Sequence, residues 1–195
     1  MTKTISSSNA ERLAQDQARY YASAVGSSAT ALADVIREAY EVAMTLHPRK
    51  FYLDHPNIRF IWELLDVEEY STVFRTAVDA WVEVEGNIQR AAQHVNRTVR
   101  SSTHVWSGFG VFRMKAGGGG NWSLLDDHGR TDANEPTHDE SLPQTVVFIA
   151  FTRLDHSNGF FMPLEVGQDV CIDSKAEIAY PPTGSGLGLA IWLRL

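Results

Sequence analysis

Twelve of the fourteen glycines and five of the seven prolines lie after residue 103, and no other feature of the chain constrains its fold as strongly. Before that point Gly26, Gly86, Pro48 and Pro56 are scattered among many Ala, Glu, Arg and Gln, which is helical composition. After it, short runs of Val, Ile, Phe and Trp alternate with glycine and proline, as strands do with turns. The expected fold class is therefore α+β, with a helical region over residues 1–103 and a β-rich region over residues 104–195 that share one core. A chain of 195 residues buries roughly 70% of the surface its unfolded form exposes, so it needs no staples. The single cysteine, Cys171, excludes an internal disulfide and fits a reducing compartment. With a polar start and no long apolar run, a cytoplasmic protein without a membrane partner is expected.

In the first region Ser8 and Glu11 have capping-box spacing, which predicts a helix to about Val25. A second helix is predicted from Leu32, Val35, Ile36, Ala39, Tyr40, Ala43 and Met44, ending before Pro48. Pro56 and Asn57 restart the chain into Ile58, Ile61, Trp62 and Leu65. Next, Tyr70, Phe74, Ala77, Trp81, Val84, Ile88, Ala91 and Val95 recur at alternating spacings of four and three. A mean period of 3.5 residues keeps one apolar seam on one side of a helix, and an unbroken helix of about 34 residues would run roughly 50 Å. Such a seam packs inside the chain or joins it to a partner. Tyr70, Phe74, Trp81, Val84, Ile88 and Val95 are thus the candidate interaction residues, with Gly86 the natural point of interruption.

The second region predicts strands over residues 105–115, 121–125, 145–154, 170–173, 176–180 and 187–195, with a turn at Ser157, Asn158 and Gly159 leading into Phe160, Phe161 and Met162. Connections of this length imply antiparallel pairing, hence a β-sandwich or jelly-roll-like arrangement. Residues 126–140 hold six carboxylates and one arginine, a solvated loop in composition. His128, His138 and Asp127 within it are the weak metal candidates, at a spacing that matches no established ligand motif. Cys171 sits in an apolar run with no charged partner predictable nearby, as a structural thiol does. No strand-turn-helix serine elbow, zinc-binding helix or phosphate loop occurs. Arg90, Arg97 and Arg100 cluster near the end of the long heptad segment, behind Glu83 and Glu85. With a net charge of −7 the chain is poorly suited to phosphate backbones, and no nucleic acid partner is expected.

The stretch VGQDVCIDSKAEIAYPPTGSGLGLAIWLRL, preceded by TVVFIAFTRLDHSNGFF, resembles the last strands of the double-stranded β-helix of iron- and 2-oxoglutarate-dependent dioxygenases. That family's triad is a His-x-Asp and a distant His. The corresponding places read Leu124, Leu125, Asp126, Asp127 and Glu177, Ile178, Ala179, Tyr180, without either histidine. The family's 2-oxoglutarate arginine would fall among Gly186, Leu187 and Gly188. The resemblance thus implies a degenerate jelly roll. GSGLGLAI, with FTRLDHS upstream, is also similar to the glycine and phenylalanine boxes of sensor-histidine-kinase ATP-binding domains, where the glycine box opens a helix. Four residues remain after it here, which predicts a final strand instead.

The seam, five tryptophans and the absence of a complete catalytic constellation point to a non-catalytic interaction or assembly protein. That means a self-associating homo-oligomer, or an acidic binder or inhibitor of another protein, with no cofactor. The alternative is a small-molecule-binding or enzymatic β-sandwich using the mouth of the β-rich half.

Overall fold

The computed structural model describes Arg12 and residues 25–48, 62–95, 106–117, 120–123, 145–173 and 176–195. Among the described residues eight strands are defined: β1 (Val25–Ser27), β2 (Trp62–Leu64), β3 (Trp106–Met114), β4 (Gly120–Ser123), β5 (Thr145–Ala150), β6 (Gln168–Asp173), β7 (Glu177–Tyr180) and β8 (Leu187–Leu193). Among the described residues three helices with defined bounds accompany them: α1 (Ala29–Thr45), α2 (Ser71–Glu83) and α3 (Asn87–His94). The fold is α+β, around an antiparallel six-stranded sheet in the order β1-β6-β5-β8-β3-β2, with β4 and β7 paired in a second sheet. No helix among the described residues is long and apolar enough to cross a membrane.

Strand periodicity assigns the side chains of the large sheet to two faces. Val111, Val147, Ile149, Cys171, Leu189 and Ile191 face the helices, packing with Leu32, Ile36, Phe74, Trp81 and Ile88. Phe112, Met114, Val146, Phe148, Val170, Ile172 and Ala190 face the other way, onto Ile178 and Tyr180 of β7 and the apolar residues of 154–164. A sheet covered on both faces needs strands apolar at every position, and all six residues of β5 are buried.

Several sequence expectations are corrected. The two edge strands come from the region predicted to be helical: β1 pairs Gly26 with Asp169, and β2 pairs Glu63 with Arg113. Trp62 and Leu65, expected in a helix, lie in β2 and in a bridge to Pro48. The first predicted helix falls outside the described residues except at Arg12, and Val25 opens a strand. Phe160 to Met162 form no strand. A short 3-10 turn over His156–Asn158 leads into them, capped by Asp155 accepting from the Ser157 N–H, and Leu154 bridges Leu164 instead. The glycine-rich turn at the C-terminal side does enter a strand, β8, and opens no helix.

The long heptad helix does not form. α2 ends at Glu83, Val84 is extended (φ −65°, ψ 120°), and Gly86 takes a left-handed φ of 87° before α3 begins. A left-handed residue is cheap only for glycine, so Gly86 is where a turn can be cut into an otherwise continuous apolar period. The break divides the seam between two short helices, and Phe74, Trp81 and Ile88 on either side of it still pack in the helix-side core.

Candidate functional site

Of the seam residues, Phe74, Ala77, Trp81, Ile88 and Ala91 are buried against the sheet and α1. Val84, in the break, and Val95, beyond α3, are partly buried, and Tyr70 is exposed. The seam is therefore covered by this chain's own elements along most of its length.

A buried polar network ties α3 to the edge of the sheet. Asp169 of β6 is fully buried, and Arg90 of α3 donates from Nη2 to its Oδ2 at 2.5 Å. Arg90 also donates to Asn87 Oδ1, while Asn87 Nδ2 donates to the Trp81 carbonyl and to Ser28 Oγ. Gly26 makes room for this pair: a Cβ there would lie 2.1 Å from the Arg90 guanidinium carbon. Burial pushes the Asp169 carboxyl up, and the neighbouring Arg90 charge pulls against that without cancelling it. Asp169 Oδ1 and Trp81 Nε1 are buried without a partner at hydrogen-bonding distance, though the indole N–H still favours the charged carboxylate electrostatically. Sequence reading placed Arg90 in a basic cluster and passed over Asp169. A carboxylate in an apolar strand whose i+2 neighbour is Cys171 was the available signal.

Cys171 lies on the same face, and burial, with Asp169 adding to it, pushes its thiol up to about 12. It is a packing residue, since a nucleophile needs the thiolate. His94 on α3 has its pKa lowered by burial and by Arg90, against a smaller opposing effect of Asp173.

The space between the six-stranded sheet and the β4–β7 pair, where the dioxygenase resemblance implies iron and 2-oxoglutarate, is filled by aromatic rings. Trp62 packs 5.4 Å from Phe112 and 5.1 Å from Phe148, Phe148 lies 5.5 Å from Phe160, and Phe161 lies 4.5 Å from Phe160 and 5.6 Å from Tyr180. Ile178 and Tyr180, near the implied second ligand, are buried in this cluster. The implied arginine position fits no side chain that could hold a carboxylate. Leu187 packs on the helix side of the sheet, and a Cβ on Gly188 would lie 2.6 Å from the Phe112 ring and 2.7 Å from the Ile149 carbonyl. The residues present therefore do not fit that cosubstrate. Among the described residues, no three His, Cys, Asp or Glu side chains converge as metal ligands. His128, His138 and Asp127 lie outside the described residues.

Described residues line two surface clefts. The first, about 420 Å³, lies between α1 and the ends of β5 and β6, and Ile36, Arg37, Tyr40, Phe151, Thr152 and Val166 line it. Ile36 and Phe151 are buried and form its apolar floor, while Val166 stands half exposed. Arg37 is its one charged residue among those described, and it donates to Asp34 Oδ1 at 2.7 Å in an exposed pair one helical turn long. The second cleft, about 740 Å³, is lined by His47, Asp66, Glu68, Glu69 and Tyr70, among others, and is acidic. Neither was legible in sequence, because each joins segments distant along the chain.

No family model matches the chain, and no curated protein does. Among solved structures it is similar to a Pseudomonas putida prolyl-4-hydroxylase, at 13% identity over 95% of this chain and 98% of that one, with a TM-score of 0.42.

Proposed function

We propose that this chain is a non-catalytic binding protein built on a jelly roll, with its contacts made outside the sandwich. Counted within the β-rich half, β3, β4 and β5 are strands one to three, the bridging residues Leu154 and Leu164 stand in for four and five, and β6, β7 and β8 are six to eight. One sheet then runs one-eight-three-six and the other pairs two with seven, which is the winding of an eight-stranded roll. The observation that carries the reading is the aromatic filling of the interior by Trp62, Phe112, Phe148, Phe160, Phe161 and Tyr180. Ligands of such folds bind in concave sites with a few placed polar groups, and here the equivalent space is occupied by side chains.

Phe74, Trp81 and Ile88 are used in internal packing, so this reading moves recognition away from the seam and onto the exposed helix-bearing side. Calorimetric titration with 2-oxoglutarate in the presence of ferrous or manganous ion tests it. No saturable heat and no succinate release under oxygen are expected. Stoichiometric binding of 2-oxoglutarate would instead return the chain to the enzymatic alternative.

A further inference from the structure

We propose that the cleft between α1 and the β5–β6 side binds a small molecule with an apolar body and a single carboxylate, the carboxylate taking Arg37 from Asp34. Its volume of about 420 Å³ is that of a small-ligand site. Ile36 and Phe151, both almost fully buried, give it a fixed floor, and Phe151 is backed by Phe74 at 6.4 Å between ring centroids. A floor held from behind by the core is already formed before a ligand arrives. Tyr40 and Val166 supply the walls, and Met44, exposed and one helical turn beyond Tyr40, extends the apolar stripe along α1. The occupant is therefore apolar over most of its surface.

Charge selects its end group. The chain carries a net charge of −7, and the larger cleft presents Asp66, Glu68 and Glu69, which repel an anion. Arg37 alone, among the described lining residues of either cleft, offers a full positive charge and a planar fork that matches a carboxylate. Its present partner competes weakly: the two side chains are 66% and 86% exposed, and such pairs contribute little. A ligand carboxylate carried into reach of Arg37 by an apolar body in the cleft gains that body's burial as well as the ion pair, so exchange favours the ligand.

This inference deepens the reading above by naming a ligand class, and decanoate is the probe. Amide NMR titration with monomeric decanoate is expected to give saturable shifts near Ala33, Arg37, Tyr40, Thr152 and Gly167. Decanol should bind about three- to fivefold more weakly, the upper range of what one exposed ion pair contributes. Arg37→Ala should weaken decanoate by about the same factor and leave decanol unchanged, Arg37→Lys should restore part of the loss, and Asp34→Asn should tighten decanoate by removing the competitor. Arg37 and Asp34 are surface residues, so these variants fold. Equal binding of decanoate and decanol, insensitivity to Arg37→Ala, or absence of saturable shifts overturns the inference. A protein that takes up 2-oxoglutarate fails the earlier reading without moving these shifts, and one that ignores decanoate fails this inference alone.

Discussion

Asp169 decides how the helical layer is fastened, because a fully buried carboxylate is tolerated only with its partner in place. Arg90→Ala leaves that charge uncompensated and should cost about 3 kcal/mol at pH 7. The sign of the pH dependence follows from the upward shift of Asp169. In the variant, the folded carboxyl holds its proton to a higher pH than the unfolded one, so stability is fullest below the unfolded pKa and falls as pH rises through the folded one. Urea unfolding should therefore show a smaller penalty at pH 5 than at pH 7. Cys171 gives a second check at this scale. With its thiol pushed up to about 12, it should resist a thiol reagent at pH 8 in the folded protein and react fully in denaturant. Rapid labelling without denaturant would contradict the packing described. Gly188 is a third, since a Cβ there meets both the Phe112 ring and the Ile149 backbone. Gly188→Ala should cost about 1–3 kcal/mol and alter the near-ultraviolet circular dichroism of the aromatic cluster.

At the scale of elements, period was a better guide than length. The spacing of Leu32, Ile36, Ala39 and Ala43 gave α1, and these four residues are its buried stripe. The apolar runs of the second half gave the strands at nearly the correct places. Tyr70 to Val95 kept an unbroken heptad period, yet the chain turns inside it. An apolar period records which face is buried, and two short helices laid on one sheet bury the same residues as one long rod. Only Gly86 betrayed the turn. A Cβ at Gly86 meets nothing within 4 Å, so the penalty for Gly86→Ala is purely conformational, about 1–2 kcal/mol. Chemical denaturation should show that loss with an unchanged slope, whereas a neutral or stabilising result would mean that α2 and α3 fuse readily. β1 and β2 were missed for another reason. Each is three residues long, too short for alternation to show, and each is a strand only because a neighbour offers it a free edge.

For the molecule as a whole, the composition changes at residue 103, and strands from before that point border the sheet built by residues after it. β1 closes one edge of the large sheet and β2 the other, and both precede the four strands they enclose. Most of the apolar sheet residues that the helices cover belong to the second half. Helical circular dichroism and tryptophan fluorescence should therefore report one coincident unfolding transition. Two separated transitions would show that the halves melt independently. The candidate cleft follows the same pattern, with α1 contributing one wall and residues 151–167 the other, which is why it could not be found by reading along the chain.

The position of those edge strands also bears on how the protein can be made. During synthesis Val25 emerges well before its partner Val170, which follows only once the 144 residues between them have been made. The N-terminal portion must wait, unable to pair, while the inner strands form with bare edges, and pairing of such distant segments is slow. A fragment starting at residue 104 would keep β6 and β3 permanently uncapped, and exposed backbone edges recruit other chains. Such a fragment is expected to aggregate at concentrations where the full chain stays dispersed, and adding residues 1–103 in trans during refolding should reduce the light it scatters.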